Sequence, residues 1–176
     1  MKTLIGIDPD TKSTGICCWT SGRAPRFLVA HAKGRLEEDR RQGMAESLGM
    51  VLQELAGDLE VDGALDEIEV AIEWQRLRPA REKNPNAMMA VQAVAGMTLA
   101  AVLREFQPDY QPTIYLPIPS DWRGTVKKEA KHALWMTEAR LTEGEGPLVN
   151  VPAAALSHCK CALGLVLWLR RGRLIS

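Results

Sequence analysis

The stretch KTLIGIDPDTKSTGICCW, residues 2–19, constrains the fold most, because it predicts two strands joined by a turn that carries carboxylates. The run 3–7 is short, apolar and β-branched, and a second such run, 14–19, follows beyond Pro9. Asp8 ends the first run, and a carboxylate in a buried position requires a partner or a metal ion. An aspartate before a proline turn also serves as a simple turn cap, so this stretch alone leaves both roles open.

The remaining hydrophobic patterns predict a single α/β domain, since 176 residues suffice for one full core. Strands are predicted at 3–7, 14–20, 26–32, 69–74 and 113–118, the first three forming an antiparallel meander. Helices are predicted at 37–55, 87–106, 127–141 and 152–171, with an acidic connector at 57–69. The predicted order is therefore β-β-β-α-β-α-β-α-α.

The charge balance excludes a globally basic nucleic-acid binder, because 22 Lys and Arg residues offset 22 Asp and Glu residues. Residues 37–69 hold 11 of the acidic residues, whereas residues 70–176 hold 14 basic against 9 acidic residues. This asymmetry permits a local anion-binding face, although ordinary solvated surfaces also produce it. An acid early in the N-terminus argues against a signal peptide, and no uninterrupted run reaches the about 18 apolar residues of a membrane span, so we expect a cytoplasmic protein. The cysteines form no CxxC pair, so we expect them to be reduced.

A second carboxylate, Glu73, ends the strand EVAIEW in the way that Asp8 ends the first strand. Val70 and Ile72 are expected to face one way along this strand, and Ala71 and Glu73 the other. His158 with Cys159 and Cys161 offers three zinc ligands, but the sequence offers no obvious fourth, so a structural zinc site is disfavoured.

Two predicted helices suggest contacts with other molecules. Lys127, Lys128 and Lys131 lie in the first turn of a helix, where the helix dipole prefers acids. This placement indicates either an anionic partner or a poor cap that Glu129 offsets. The helix 87–106 is nearly uncharged and rich in Ala and Gly, which predicts deep burial or an interface.

Three separated stretches resemble motifs of one family, the RuvC-type Holliday junction resolvases. IGIDPDTKSTG resembles the family's opening motif, VAIEWQ its second site, and SHCKCALGLVLW its final helix. NAMMAVQAVAGMTLAAV also resembles the helix that pairs in the resolvase dimer, and WRGTVKKEAKHAL a basic segment. The resemblance implies a ribonuclease H-like α/β fold with a five-stranded mixed sheet, three antiparallel strands followed by two parallel ones, flanked by helices.

The resemblance also implies a function, carried over position by position. Asp8 and Glu73 match metal-binding carboxylates, His158 matches a third ligand, and Cys161 falls where the family places its last catalytic aspartate. The implied cofactor is Mg²⁺ or Mn²⁺, with two ions per site, and the implied reaction is paired nicking of a four-way DNA junction to leave 5′ phosphates. A homodimer is expected, without membrane association. The implied DNA contacts are Arg76, Arg78, Arg123, Lys127, Lys128 and Lys131.

Cys161 departs from the family pattern, because a thiol is a soft and poor ligand for magnesium. The chain would then cut with fewer metal ligands or with manganese, and Asp10 would partly compensate for the missing carboxylate. Alternatively, the chain would bind junctions without cutting them. Arg76 also stands where the family often has an aromatic residue. A weaker hypothesis from the opening motif is an actin-like phosphotransferase, which normally needs a second domain. So divergent a chain would suit a phage or prophage genome, although no residue tests this.

Overall fold

The computed structural model describes residues 1–34, 37–75, 85–106, 110–123, 127–142 and 146–172. The strands are β1 (Lys2–Asp8), β2 (Ser13–Thr20), β3 (Arg26–His31), β4 (Glu67–Ile72) and β5 (Thr113–Tyr115). The α-helices are α1 (Glu37–Val61), α2 (Pro85–Phe106), α3 (Pro119–Arg123), α4 (Lys128–Glu138) and α5 (Ala153–Arg170). A short 3₁₀ turn, Gly146–Leu148, precedes α5.

The five strands form one mixed sheet in the order β3-β2-β1-β4-β5. β1 pairs antiparallel with β2, which pairs antiparallel with β3. β1 also pairs parallel with β4, and β4 parallel with β5. The predicted meander followed by two parallel strands is confirmed, and β1 lies at the centre of the sheet.

Strand residues alternate between two hydrophobic layers, one on each face of the sheet. Ile5, Ile7 and Ile72 belong to the layer that also contains side chains of α1 and α2. Leu4 and Ala71 belong to the opposite layer, which contains most of α5. The even-numbered residues of β1, Asp8 among them, therefore face α5, as the odd-numbered residues from Ala71 to Glu73 do on the neighbouring strand.

α5 approaches the sheet so closely that two strand glycines lie directly beneath its backbone. A Cβ added at Gly6 would lie 2.1 Å from the Ala162 carbonyl oxygen. A Cβ added at Gly15 would lie 2.4 Å from the His158 carbonyl carbon, and Gly15 is the register partner of Asp8. The glycines of the opening motif thus set the height of α5 over the end of β1.

The structure corrects several predicted boundaries. The acidic connector at 57–69 was wrong in its first part, because α1 continues through Gly57 to Val61. Leu55 and Leu59 are both buried against the sheet, and this packing outweighs the low helix propensity of glycine. β5 ends at Tyr115, before Pro117, and a short helix, α3, forms between the predicted strand 113–118 and the predicted helix 127–141.

By length and composition alone, α2 and α5 would each be long and apolar enough to cross a membrane, a property that they share with core helices of soluble proteins. Most of α5 is buried between the sheet, α3 and α4. α2 packs mainly on α1 and leaves much of its surface exposed.

Candidate active site

Two buried carboxylates lie side by side where β1 and β4 end. Asp8 is the last residue of β1, and Glu73 follows β4 directly. The Glu73 N–H donates to the Ile7 carbonyl oxygen at 3.0 Å, which extends the parallel ladder by one step. Each residue is 5% exposed, and both face α5. The sheet register therefore brings together two acids that are far apart in the sequence.

His158 reaches Asp8 from the first half of α5. Its Nδ1 lies 2.8 Å from Asp8 Oδ2. This hydrogen bond raises the pKa of His158 above its ordinary value, against the effect of burial. The predicted meeting of the last helix with the first carboxylate is thus present in the structure.

Glu73 lies in an environment that disfavours its charge. Burial, and then the negative charge of Asp8, raise the pKa of Glu73 to about 7, although Arg123 and Gln75 act in the opposite direction. Gln75 Nε2 donates to Glu73 Oε1 at 2.5 Å. The other oxygen, Oε2, is buried and has no hydrogen-bond partner among the described residues. A buried carboxylate oxygen without a partner fits a cation that the protein alone does not provide.

The donors fit a hard divalent cation, because Asp8 and Glu73 supply carboxylate oxygens and one of these oxygens is unpartnered. Among the described residues, no three His, Cys, Asp or Glu side chains converge closely enough to form a complete metal site. His158 is already hydrogen bonded to Asp8. The assignment of Asp8, Glu73 and His158 as ligands therefore stays a prediction, with the two carboxylates as its strongest part.

Cys161 lies one helical turn beyond His158 and is 1% exposed. Its Sγ is 3.3 Å from His132 Nε2. Burial raises the pKa of the Cys161 thiol well above its ordinary value, so it is protonated at neutral pH. Burial and the nearby Lys128 lower the pKa of His132 to about 4, so His132 is neutral there.

The predicted DNA contacts fall into three groups. Arg76 and Arg78 lie outside the described residues. Lys127 is exposed, and Lys131 and Arg123 are half-buried. Lys128 is also half-buried; burial lowers its pKa, but the nearby Cys161, Asp8 and Glu73 side chains raise it above its ordinary value. Farther away, Arg170 stacks on Trp19, with its Cζ 4.8 Å from the ring centroid, and Arg171 pairs with Glu138, so neither extends a free basic patch.

Sequence reasoning missed three residues of this site: Gly15, Gln75 and His132. Helical spacing does place Lys128 and His132 on one face of α4, four residues apart, and this signal was available. Nothing in the sequence shows that Gly15 lies beneath His158, because that contact exists only once α5 packs on the meander.

The structure has a ribonuclease H-like α/β fold with two acids at the ends of its central parallel strands. Comparison with solved structures shows that this fold is similar to that of RuvC. Thermus thermophilus RuvC in complex with a Holliday junction substrate matches with a TM-score of 0.63 at 18% identity, over 98% of this chain and 97% of that one. A second Thermus thermophilus RuvC structure matches with a TM-score of 0.59 at 17% identity, over 97% of each chain.

The yeast mitochondrial Holliday junction resolvase Ydc2 matches with a TM-score of 0.49 at 16% identity, over 97% of this chain and 81% of that one. No protein-family model matches the sequence. No curated protein matches it either. The two Thermus likenesses establish the fold of this chain.

Proposed function

We propose that this protein is a metal-dependent endonuclease that cuts four-way DNA junctions by paired nicks, leaving 5′ phosphates. The observation that supports it is the buried pair Asp8 and Glu73, with an unpartnered carboxylate oxygen. Two like charges in a buried position repel each other, and a divalent cation between them removes this cost. The RuvC fold supports junction DNA as the substrate.

Five polar side chains in and around the site have a role in this proposal. Asp8 and Glu73 hold Mg²⁺ or Mn²⁺, which when bound activates water and stabilises the charge that develops on the phosphodiester. His158 orients the Asp8 carboxylate through their 2.8 Å hydrogen bond. The exposed Lys127 and the half-buried Lys131 contact backbone phosphates, which fix the position of the DNA without reading its sequence.

We also propose a homodimer through α2. Residues Met89, Ala93, Gly96, Ala100 and Leu103 follow one another at spacings of four and three, as in the seam of a coiled coil. Met89 is 60% and Leu103 37% exposed, and a Cβ at Gly96 would meet nothing within 4 Å. Small residues at the centre of the stripe allow a second α2 to approach closely. A two-fold dimer would offer one site to each of two strands.

The test is cleavage of a labelled synthetic four-way junction by the purified full chain with Mg²⁺ or Mn²⁺. We expect nicks with 5′ phosphates, and we expect Asp8→Asn to reduce the rate at least about 1,000-fold while junction binding persists. The matched control is Asp62→Asn, a surface carboxylate paired with Arg23. If Asp8→Asn cuts as fast as the unaltered chain, the metal role of Asp8 is wrong.

A second candidate is a junction-binding protein of the same fold that does not cut. Cys161 favours it, because a protonated thiol stands where a carboxylate is expected. Tight junction binding without nicks in either metal would support this alternative. If Cys161 alone prevents cutting, Cys161→Asp should create cutting activity. If the site is incomplete in other ways as well, this variant should stay inactive.

A further inference from the structure

A groove lies between the beginning of α1 and the beginning of α2, on the face of the sheet opposite α5. Its volume is about 420 Å³, within the range of about 300–1,000 Å³ that is usual for ligand sites. Arg40 and Arg41 line it from α1, and Asn86 and Ala90 line it from α2. The fully buried Met44 gives it an apolar base. We call this feature the α1–α2 groove.

The α1–α2 groove lies beside the candidate active site. One of its lining residues, Thr11, belongs to the turn that joins β1 to β2, three residues after Asp8. The Met44 Sδ accepts a hydrogen bond from Thr14 Oγ1 at 3.6 Å, and Thr14 Oγ1 accepts the Asp10 N–H at 3.4 Å. Two contacts therefore connect the base of the groove with the turn that follows the first carboxylate. The groove and the carboxylate pair open at the same end of the sheet.

The charges of the α1–α2 groove suit an anion. Arg40 and Arg41 are both exposed, and none of the described residues that line the groove is acidic. Asp39 lies on another side of α1, where its Cβ is next to Gly34. The first turn of α2 has no acid either, and the beginning of a helix favours negative charge. Because a guanidinium group matches the geometry of two phosphate oxygens, a paired arginine wall is suited to a phosphate.

The proposed dimer would leave this groove uncovered. The pairing stripe of α2 is centred on Ala93 and Gly96, whereas Ala90 and Val94 line the groove. At 3.6 residues per turn, Ala90 and Val94 lie about 120° around the helix from the centre of the stripe. The pairing surface and the groove therefore do not overlap on α2.

We propose that Arg40 and Arg41 bind backbone phosphates of the junction in the α1–α2 groove. The inference rests on the proposed function and deepens it, because it adds a second DNA contact surface to the same site. Lys127 and Lys131 contact the DNA from the α5 side of the sheet, and the two arginines contact it from the α1 side. The backbone is thus held on both sides of the carboxylates. Neither arginine is among the contacts that the family resemblance implies, and both lie in the acidic stretch 37–69.

The direct test measures binding of a labelled four-way junction to the purified full chain, without divalent metal, at several salt concentrations. Each phosphate contact contributes about 0.9 to the slope of log affinity against log salt, so the double variant Arg40→Gln, Arg41→Gln should lower this slope by about 1.8. At about 50 mM salt, its affinity should be at least about tenfold weaker.

The matched control is the double variant Arg23→Gln, Arg26→Gln. It removes the same net charge at the opposite end of the sheet, where Thr20 pairs with Thr3 near the start of β1. We expect this control to change the salt slope by less than about 0.5.

The outcomes separate this inference from the proposed function. An unchanged salt slope in a folded Arg40→Gln, Arg41→Gln variant would overturn the inference and leave junction binding intact. A chain that binds no junction at low salt would overturn both. A second measurement needs no variant, because phenylglyoxal modifies exposed arginines and mass spectrometry locates the products. Bound junction should suppress modification of Arg40 and Arg41 and leave that of Arg23 unchanged; equal modification of all three with and without DNA would contradict the inference.

Discussion

The height of α5 over the sheet depends on Gly15, and replacing this residue by alanine tests that dependence. The new Cβ would lie 2.4 Å from the His158 carbonyl carbon, 2.5 Å from the Cys159 nitrogen and 2.6 Å from the His158 oxygen. All three are backbone atoms, so no side-chain rotation relieves the contact. Restoring an ordinary separation of about 3.4 Å requires α5 to retreat by about 1 Å over the end of β1.

The cost follows from that displacement. Overpacking of a tight core destabilises proteins by about 1–3 kcal/mol, and we expect Gly15→Ala to fall in this range. The displacement also moves His158 away from Asp8, so the 2.8 Å hydrogen bond lengthens. A shift of about 1 Å at a catalytic constellation lowers rates on the order of 100-fold, and we expect a loss of this size in junction nicking.

Urea denaturation measures the free energy of unfolding, and junction nicking at saturating Mn²⁺ measures the rate. The matched control is Gly57→Ala, an exposed position in α1 where a Cβ meets nothing within 4 Å. Because alanine favours helix more than glycine does, this control should gain about 0.5–1 kcal/mol and keep its rate. A Gly15→Ala variant as stable and as active as the unaltered chain would refute the reasoning about α5.

Three further outcomes follow from the site and the surface. Without metal, the protein should lose stability as pH rises from 4.5 to about 7, because the pKa of Glu73 is raised in the folded chain and the unfolded chain loses that proton first. Glu73→Gln should remove up to about 3 kcal/mol of this loss, as measured by urea denaturation across the pH range. The pKa of His158 is also raised in the folded chain, so protonated His158 should stabilise the fold below its unfolded pKa of about 6.5, and this stability should be lost as pH rises through the folded pKa. In His158→Gln, the thermal unfolding temperatures at pH 5.5 and pH 8.5 should therefore differ less than in the unaltered chain. Ala93→Arg should give a monomer by sedimentation, because a charge in the α2 stripe opposes pairing. Met50→Glu, which also adds a charge at an exposed apolar position but on α1, should leave the mass unchanged.

The sheet could be predicted from the sequence, because its strands are short apolar runs whose ends are marked by acids, prolines and glycines. Asp8 and Glu73 each follow such a run, so their shared edge was predictable once β1 and β4 were taken as parallel neighbours. The extension of α1 to Val61 was not predictable from local propensity, because tertiary packing of Leu59 overrides Gly57. The contact of His132 with Cys161 depends on how α4 packs against α5, which spacing within one helix does not reveal.

The pairing of Asp8 with His158 joins residues 150 positions apart, and α5 covers strands that the ribosome makes much earlier than this helix. During translation the apolar face formed by Leu4, Cys17 and Phe27 therefore stays open to water until residues 153–170 have left the ribosome. A product that stops before α5 would hold no cleft, and its uncovered sheet would invite aggregation. The proposed cutting activity would thus require a chain that already includes α5, so the order of folding would prevent premature cutting without a separate inhibitor.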